Sequence, residues 1–187
     1  MADTRILPPW ADDLRRRYLR GESSMFLLHG NVYDSVFHEG KMMTLTSFVT
    51  EELLQDSKEI IATFNVATGV RFTKGGAQTK NLEDLILATQ KDKALTALER
   101  LLQQSMKVGV VIEYAESVAP AGDPTFMTDA DRGAVVTLHR WSFLPEIEKF
   151  DNVIILISEN LTELAPKLIS NPKVAVVEVP MPDKETR

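Results

Sequence analysis

The 187-residue sequence contains no cysteine, which excludes disulfides, thiolate nucleophiles and cysteine-ligated zinc while saying nothing about compartment. No apolar run approaches the roughly 18 residues needed to cross a bilayer. The first residues, MADTRILPPW, lack the apolar stretch behind a basic head that marks a secretory signal. These absences predict a cytoplasmic protein with no membrane contact. A basic surplus is missing too: 21 Lys and Arg against 27 Asp and Glu give a net charge of −6, which disfavours a nucleic-acid partner. Internal repeats and low-complexity tracts are absent. What is present, 44% hydrophobic and 26% charged residues, is the usage of a globular domain long enough to bury a full core.

Near the start, Trp10, Leu14 and Tyr18 recur at four-residue spacing and predict a short helix, with Arg15, Arg16, Arg17 and Arg20 on its other face. A ring of charge of this kind is read as a solvated face rather than a phosphate site. Residues 1–24 thus form an N-terminal helical segment and 25–187 an α/β domain. MFLLHGN, Met25 to Asn31, is too short and apolar for a helix and predicts a buried strand. Val32 to Thr44 turns about His38-Glu39-Gly40-Lys41 as a hairpin or excursion, and Leu45 to Asp56 follows as a helix.

Ile60 to Asn65 is a second strand, Val70-Arg71-Phe72 a short edge piece, and Gly75-Gly76 opens a polar loop. Helical pattern runs from Leu82 through Leu85 and Ile86 to about Met106, with a break near Lys91-Asp92. VGVVIEY (Val108 to Tyr114) and NVIILIS (Asn152 to Ser158) are apolar throughout, as strands covered on both faces must be. Between them Thr128 or Asp129 caps a helix reaching about Phe150, divided at Pro145. Leu161 to Ile169 predicts a short helix and Val174 to Val179 a fifth strand. The result is a three-layer α/β sandwich with a five-stranded, mainly parallel sheet. Ligands of such sheets sit at the carboxyl ends of the strands, which directs attention to the tips after Asn31, Tyr114 and Ser158.

Chemistry is sparse at those tips. A nucleoside triphosphatase needs a G-x-x-x-x-G-K-[ST] loop whose amides wrap the phosphates, with a Lys on the terminal phosphates and a hydroxyl on magnesium. Here the first strand runs into Gly30-Asn31-Val32-Tyr33-Asp34, and Gly40-Lys41, followed by Met42, lacks the upstream glycine. ATP hydrolysis by this chain alone is therefore not expected, and no catalytic residue is assigned. VVIEYAE ends the third strand where an ATPase carries a magnesium-binding Asp and then a water-positioning Glu; Glu113 takes the first place and Tyr114 the second. Glu116 and Asp123 are read as loop acids. His29 and His38, with Asp34 or Glu113, could supply mixed nitrogen and oxygen ligands, but their spacing matches no metal motif, and no metal is assigned. No G-x-S-x-G nucleophile elbow occurs.

Taken with their order along the chain, these segments resemble the AAA+ ATPases, a P-loop NTPase-like fold, and specifically the degenerate AAA-like domain that precedes the active ATPase domain in some bacterial members. NVIILISENLTELAPKLISNPKVAVVEVPMPDKETR is similar to the family's sensor-1 strand, the segment after it and the strand leading to a Pro-Asp and Arg signature. The resemblance implies that Asn160 holds the sensor-1 position and that Pro182-Asp183 with Arg187 forms that signature. FLLHGNVYD and ATGVRF look like the opening of such domains. On this likeness the chain is a fragment of a longer protein, with the phosphate loop and helical lid lying beyond Arg187.

The resemblance implies a non-catalytic module for partner or substrate docking and for assembly with a downstream ATPase domain. Hexamer formation and an unidentified protein client belong to the full-length protein. No cofactor is expected for this chain alone, with ATP and magnesium reserved for the full-length form. One alternative is a sensor that binds nucleotide without hydrolysis through Gly30, Asn31, Asp34, Glu113 and Asn160. A remoter one is a small-molecule or metal enzyme using His29, His38 and Glu113. The Arg15 to Arg20 face and the Gly75-Gly76 loop are plausible contact surfaces.

Overall fold

The computed structural model describes residues 6–75 and 90–182. Of the expectations above, Gly76, Leu82, Leu85, Ile86, Asp183 and Arg187 lie outside them. Among the described residues there are eight strands: β1 (Met25–Gly30), β2 (Val36–His38), β3 (Lys41–Met43), β4 (Ile60–Asn65), β5 (Gly69–Lys74), β6 (Val108–Ile112), β7 (Val153–Ile157) and β8 (Val174–Val179). Six make one sheet in the order β5-β4-β6-β7-β1-β8. The five expected strands run parallel, and the edge piece forms a sixth, β5, antiparallel to β4. It extends past Phe72 to Lys74 because its residues alternate between cover and solvent, as an edge strand covered on one face can.

Strands β6 and β7 are buried along their whole length, and alternate side chains feed two cores. Val108, Val110, Ile112, Ile154 and Leu156 meet Leu95, Leu98, Leu101 and Leu102 of the helix Lys91–Gln104 and Leu138 and Trp141 of the helix Asp129–Trp141. Val111, Val153, Ile155 and Ile157 face Trp10 and Leu14 of α1 (Pro9–Leu19) and the helical segment 45–54. Helix α1 is thus part of the same packed body, its Trp10 ring 5.5 Å from that of Phe48. On its outer face Arg16 and Arg17 pair with Asp12 and Asp13 one turn earlier, which is the solvated arrangement expected of them.

The segment after the hairpin begins as an α-helix, Leu45–Phe48, and widens into a π-helix, Val49–Leu54. Its buried positions explain the change. The buried positions are Leu45, Phe48, Val49, Thr50 and Leu54, and the wider i→i+5 turn brings Val49 and Leu54, five residues apart, to the same side. Thr128 caps the helix Asp129–Trp141 through a capping box with Asp131, and Pro145 opens a separate helix, Pro145–Lys149. Leu161 to Ile169 resolves into a 3-10 turn, Leu161–Glu163, and a helix, Pro166–Ile169.

Lys91 fastens two of these elements. Its ammonium donates to the carbonyls of Ser117 and Val118 at 3.2 and 2.9 Å and to the carboxylate of Asp131. Hydrogen bonding from Lys91 holds Asp131 below the usual carboxylate pKa of 3.8, so its contribution to stability is present above that value and lost as pH falls through the lower folded one. Lys91→Met is expected to lower stability by about 1 kcal/mol at neutral pH. In urea titrations repeated stepwise below pH 3.8, the gap to the parent should narrow toward the pH-independent share of the two carbonyl bonds. A gap that stays constant would remove the charge from this account.

At the amino end of the sheet, two side chains join β4, β6 and β7. Asn152 is fully buried; it accepts from the amide of Val108 at 2.8 Å and donates to the carbonyls of Leu102 and Ser105 at 2.9 and 3.0 Å. Lys58, 1% exposed, donates to the Tyr18 hydroxyl and the Asp151 carbonyl, both at 2.7 Å, and to the Asp151 carboxylate at 3.3 Å. Burial pushes its pKa down, against the opposing pull of Asp151. The Tyr18 hydroxyl, bonded to the same carboxylate, is pushed up, chiefly by burial.

Candidate functional site

Because five strands run parallel, their carboxyl ends lie along one margin of the sheet, and every strand-tip candidate is there. At Gly30 the chain leaves β1 with φ 98°, a backbone that favours glycine. A Cβ there would stand 2.8 Å from the carbonyl oxygen of Val179. The turn closes on itself and on its neighbours: the amide of Gly30 donates to the Glu159 carbonyl at 3.0 Å, that of Asn31 to Val179 at 2.9 Å and that of Val32 to Gly30 at 2.8 Å. Asn31 donates to the Asp34 carboxylate at 3.3 Å, and the amide of Ser35 to the same group at 2.9 Å.

Instead of entering a helix, the chain then forms the hairpin of β2 and β3, with Phe37 opposite Met42. Gly40-Lys41 lies in this hairpin, Glu39 and Gly40 both at positive φ (48° and 78°), as a two-residue turn demands. It is a hairpin turn, not a phosphate loop. His38 is buried under the hairpin, its ring edge-on to Phe48 at 5.2 Å and Nε2 3.7 Å from Glu52. Among the described residues no three His, Asp or Glu side chains converge as metal ligands would.

Glu113 forms a second, separate cluster. It accepts from the Thr46 hydroxyl at 3.1 Å and from the Asn65 amide at 3.4 Å, while its own amide donates to Phe64 at 2.9 Å. Asn160, exposed, donates to Glu163 at 3.2 Å. The structure therefore groups Gly30, Asn31 and Asp34, joins them to the Glu159-Asn160 segment through one backbone bond, and leaves Glu113 bonded to Thr46 and Asn65.

Sequence reading missed Thr46 as a partner of Glu113. The available signal was a hydroxyl at the start of the first helix after β1, the place from which a triphosphatase directs one at magnesium.

Between the two clusters Tyr33 and Tyr114 stack, ring centroids 4.9 Å apart and planes 20° from parallel. Tyr114 takes a left-handed conformation, φ 51° and ψ 50°, uncommon for a residue with a side chain. The Tyr33 hydroxyl lies 3.5 Å from Glu116, and its pKa is raised by burial first and then by the negative charge of Glu116.

Residues 2–180 match the family described as AAA+ chaperone, N-terminal Rossmann-like domain. The chain belongs to this family. The AAA+ chaperone N-terminal domain agrees in architecture with the resemblance drawn from its strand order. No curated protein matches it in sequence. A solved HORMA:CdnC:Trip13 complex from E. coli MS115-1 contains a chain of similar fold, with a TM-score of 0.53 and 16% identity, covering 95% of this domain and 57% of that chain. The AAA+ chaperone N-terminal domain thus spans somewhat more than half the length of that structural neighbour. No helix among its described residues is long and apolar enough to cross a membrane.

Proposed function

We propose that this AAA+ chaperone N-terminal domain contributes binding surface, not hydrolysis: it docks a partner or substrate and assembles with an ATPase domain of the same protein. What supports this reading is the state of the strand tips. A phosphate loop works by presenting unpaired amides to an anion. Here the amides of Gly30, Asn31, Val32 and Ser35 already donate within the fold. Glu113, in the magnesium carboxylate's place, is bonded directly to the hydroxyl of Thr46, the two groups that in an ATPase would share the ion between them. A sheet can persist as scaffold once such groups bind one another.

Thermal melting of the purified domain is the test. A nucleotide held at a hundred times its dissociation constant adds about 2.7 kcal/mol, roughly 5–11 °C for a domain of this size. Neither millimolar ATP with magnesium nor ADP is expected to move the melt. A rise of several degrees with either would replace this reading with that of a nucleotide sensor. ATP and magnesium would act in the ATPase domain, and hexamer formation and a cytoplasmic setting belong to the same proposal for the whole protein.

A further inference from the structure

The stacked tyrosines form an exposed aromatic platform. Tyr33 and Tyr114 are each 47% exposed, although ring faces in mutual contact at 4.9 Å are the arrangement a core would bury. One ring is carried on the turn after β1. The other follows β6 in the left-handed backbone that begins the helix Ala115–Val118. Tyr33 lies three residues past the end of β1 and Tyr114 two past the end of β6, so both rings are carried on strand-tip segments, a placement suited to recognition.

The chemistry around the platform is of one sign. Asp34 follows Tyr33 in the chain, Glu116 lies 3.5 Å from its hydroxyl, and the charges of Glu116 and Glu159 both act on it. Oε1 of Glu116 is the oxygen beside the Tyr33 hydroxyl, while its Oε2 is shielded from solvent without a hydrogen-bond partner. Among the described residues no Lys or Arg forms a salt bridge with Asp34, Glu116 or Glu159. Aromatic faces bordered by carboxylates without a cationic partner are complementary to a planar cation that can stack and donate together, which describes guanidinium better than ammonium.

The geometry points to an arginine-binding site, in which an arginine of a partner polypeptide stacks on the exposed Tyr33–Tyr114 pair and donates to Glu116, with Glu159 adding charge. This names the partner chemistry of the docking role proposed above and rests on it.

The probe is a fluorescein-labelled nonapeptide of glycine and serine carrying two arginines, compared with its lysine counterpart by fluorescence anisotropy on the 187-residue chain. The arginine peptide should bind about fivefold more tightly, because a planar guanidinium can stack and donate together where an ammonium cannot. Tyr33→Ala, Tyr114→Asn and Glu116→Gln should each weaken it about tenfold. Asparagine tolerates the left-handed backbone of position 114. Glu148→Gln, on the helix Pro145–Lys149 away from the strand tips, should leave binding unchanged.

Melting curves establish that each variant folds, and if either tyrosine variant does not, Glu116→Gln decides alone. Equal affinity for the two peptides, indifference to Glu116→Gln, or no binding would overturn the site. In that event an unmoved melt with ATP would leave the docking role standing, whereas a nucleotide-dependent rise would remove the role itself.

Discussion

Asn152→Ala should cost the fold about 3 kcal/mol and lower its melting temperature by roughly 6–12 °C. The cost does not come from lost volume. The asparagine is the partner of three backbone groups, the amide of Val108 and the carbonyls of Leu102 and Ser105. These belong to the start of β6 and to the end of the helix before it. A buried backbone group left unpaired costs about 1–3 kcal/mol, and Asn152 has no exposed surface through which water could readily replace it. Asn152→Leu, which restores volume without restoring a donor or acceptor, should fare no better. Urea unfolding measures both variants, and a loss below 1 kcal/mol in the alanine protein would mean that the three groups find other partners.

Gly30→Ala should be of similar size for a different reason. At φ 98° an added methyl is strained whatever the space around it, and here the space is occupied by the backbone oxygen of Val179 at 2.8 Å. A backbone atom cannot rotate away as a side chain can. To admit the methyl, β8 must separate from β1, weakening the bond from the amide of Asn31 to Val179. Strain of about 1–2 kcal/mol and the displaced edge strand together predict a loss of about 3 kcal/mol. Hydrogen exchange should rise most along Val174–Val179. A stable Gly30→Ala protein with unchanged exchange in β8 would show that the turn relaxes without moving its neighbour.

The parallel strands were legible because burial on both faces leaves its mark in composition: VGVVI and VIILI carry no polar residue. The capped helix at Thr128 and the division at Pro145 were legible for a similar reason, since capping and the missing proline amide are local chemistry. The π-helix was not, because the step from Leu45 to Val49 and Leu54 acquires meaning only against a sheet that fixes which residues face inward. The candidate site was half visible. Gly30, Asn31 and Asp34 are neighbours in the chain and were found together. Glu113 was found without its partners, because Thr46 and Asn65 lie 67 and 48 residues away and nothing in a linear pattern joins a helix start to two strand ends. The tyrosine stack was hidden for the same reason, 81 positions separating Tyr33 from Tyr114.

Lys58 has one further consequence. Its amine, with a lowered pKa, holds more of the unprotonated, nucleophilic form than an ordinary lysine at the same pH. Yet among the described residues it is the lysine sealed inside the fold. Intrinsic reactivity and access are therefore opposed at a single atom. An acylating reagent that marks surface lysines within their own chemical time must wait at Lys58 for the sheet's amino end to come apart, so the rate at which this residue is marked follows how often that end opens.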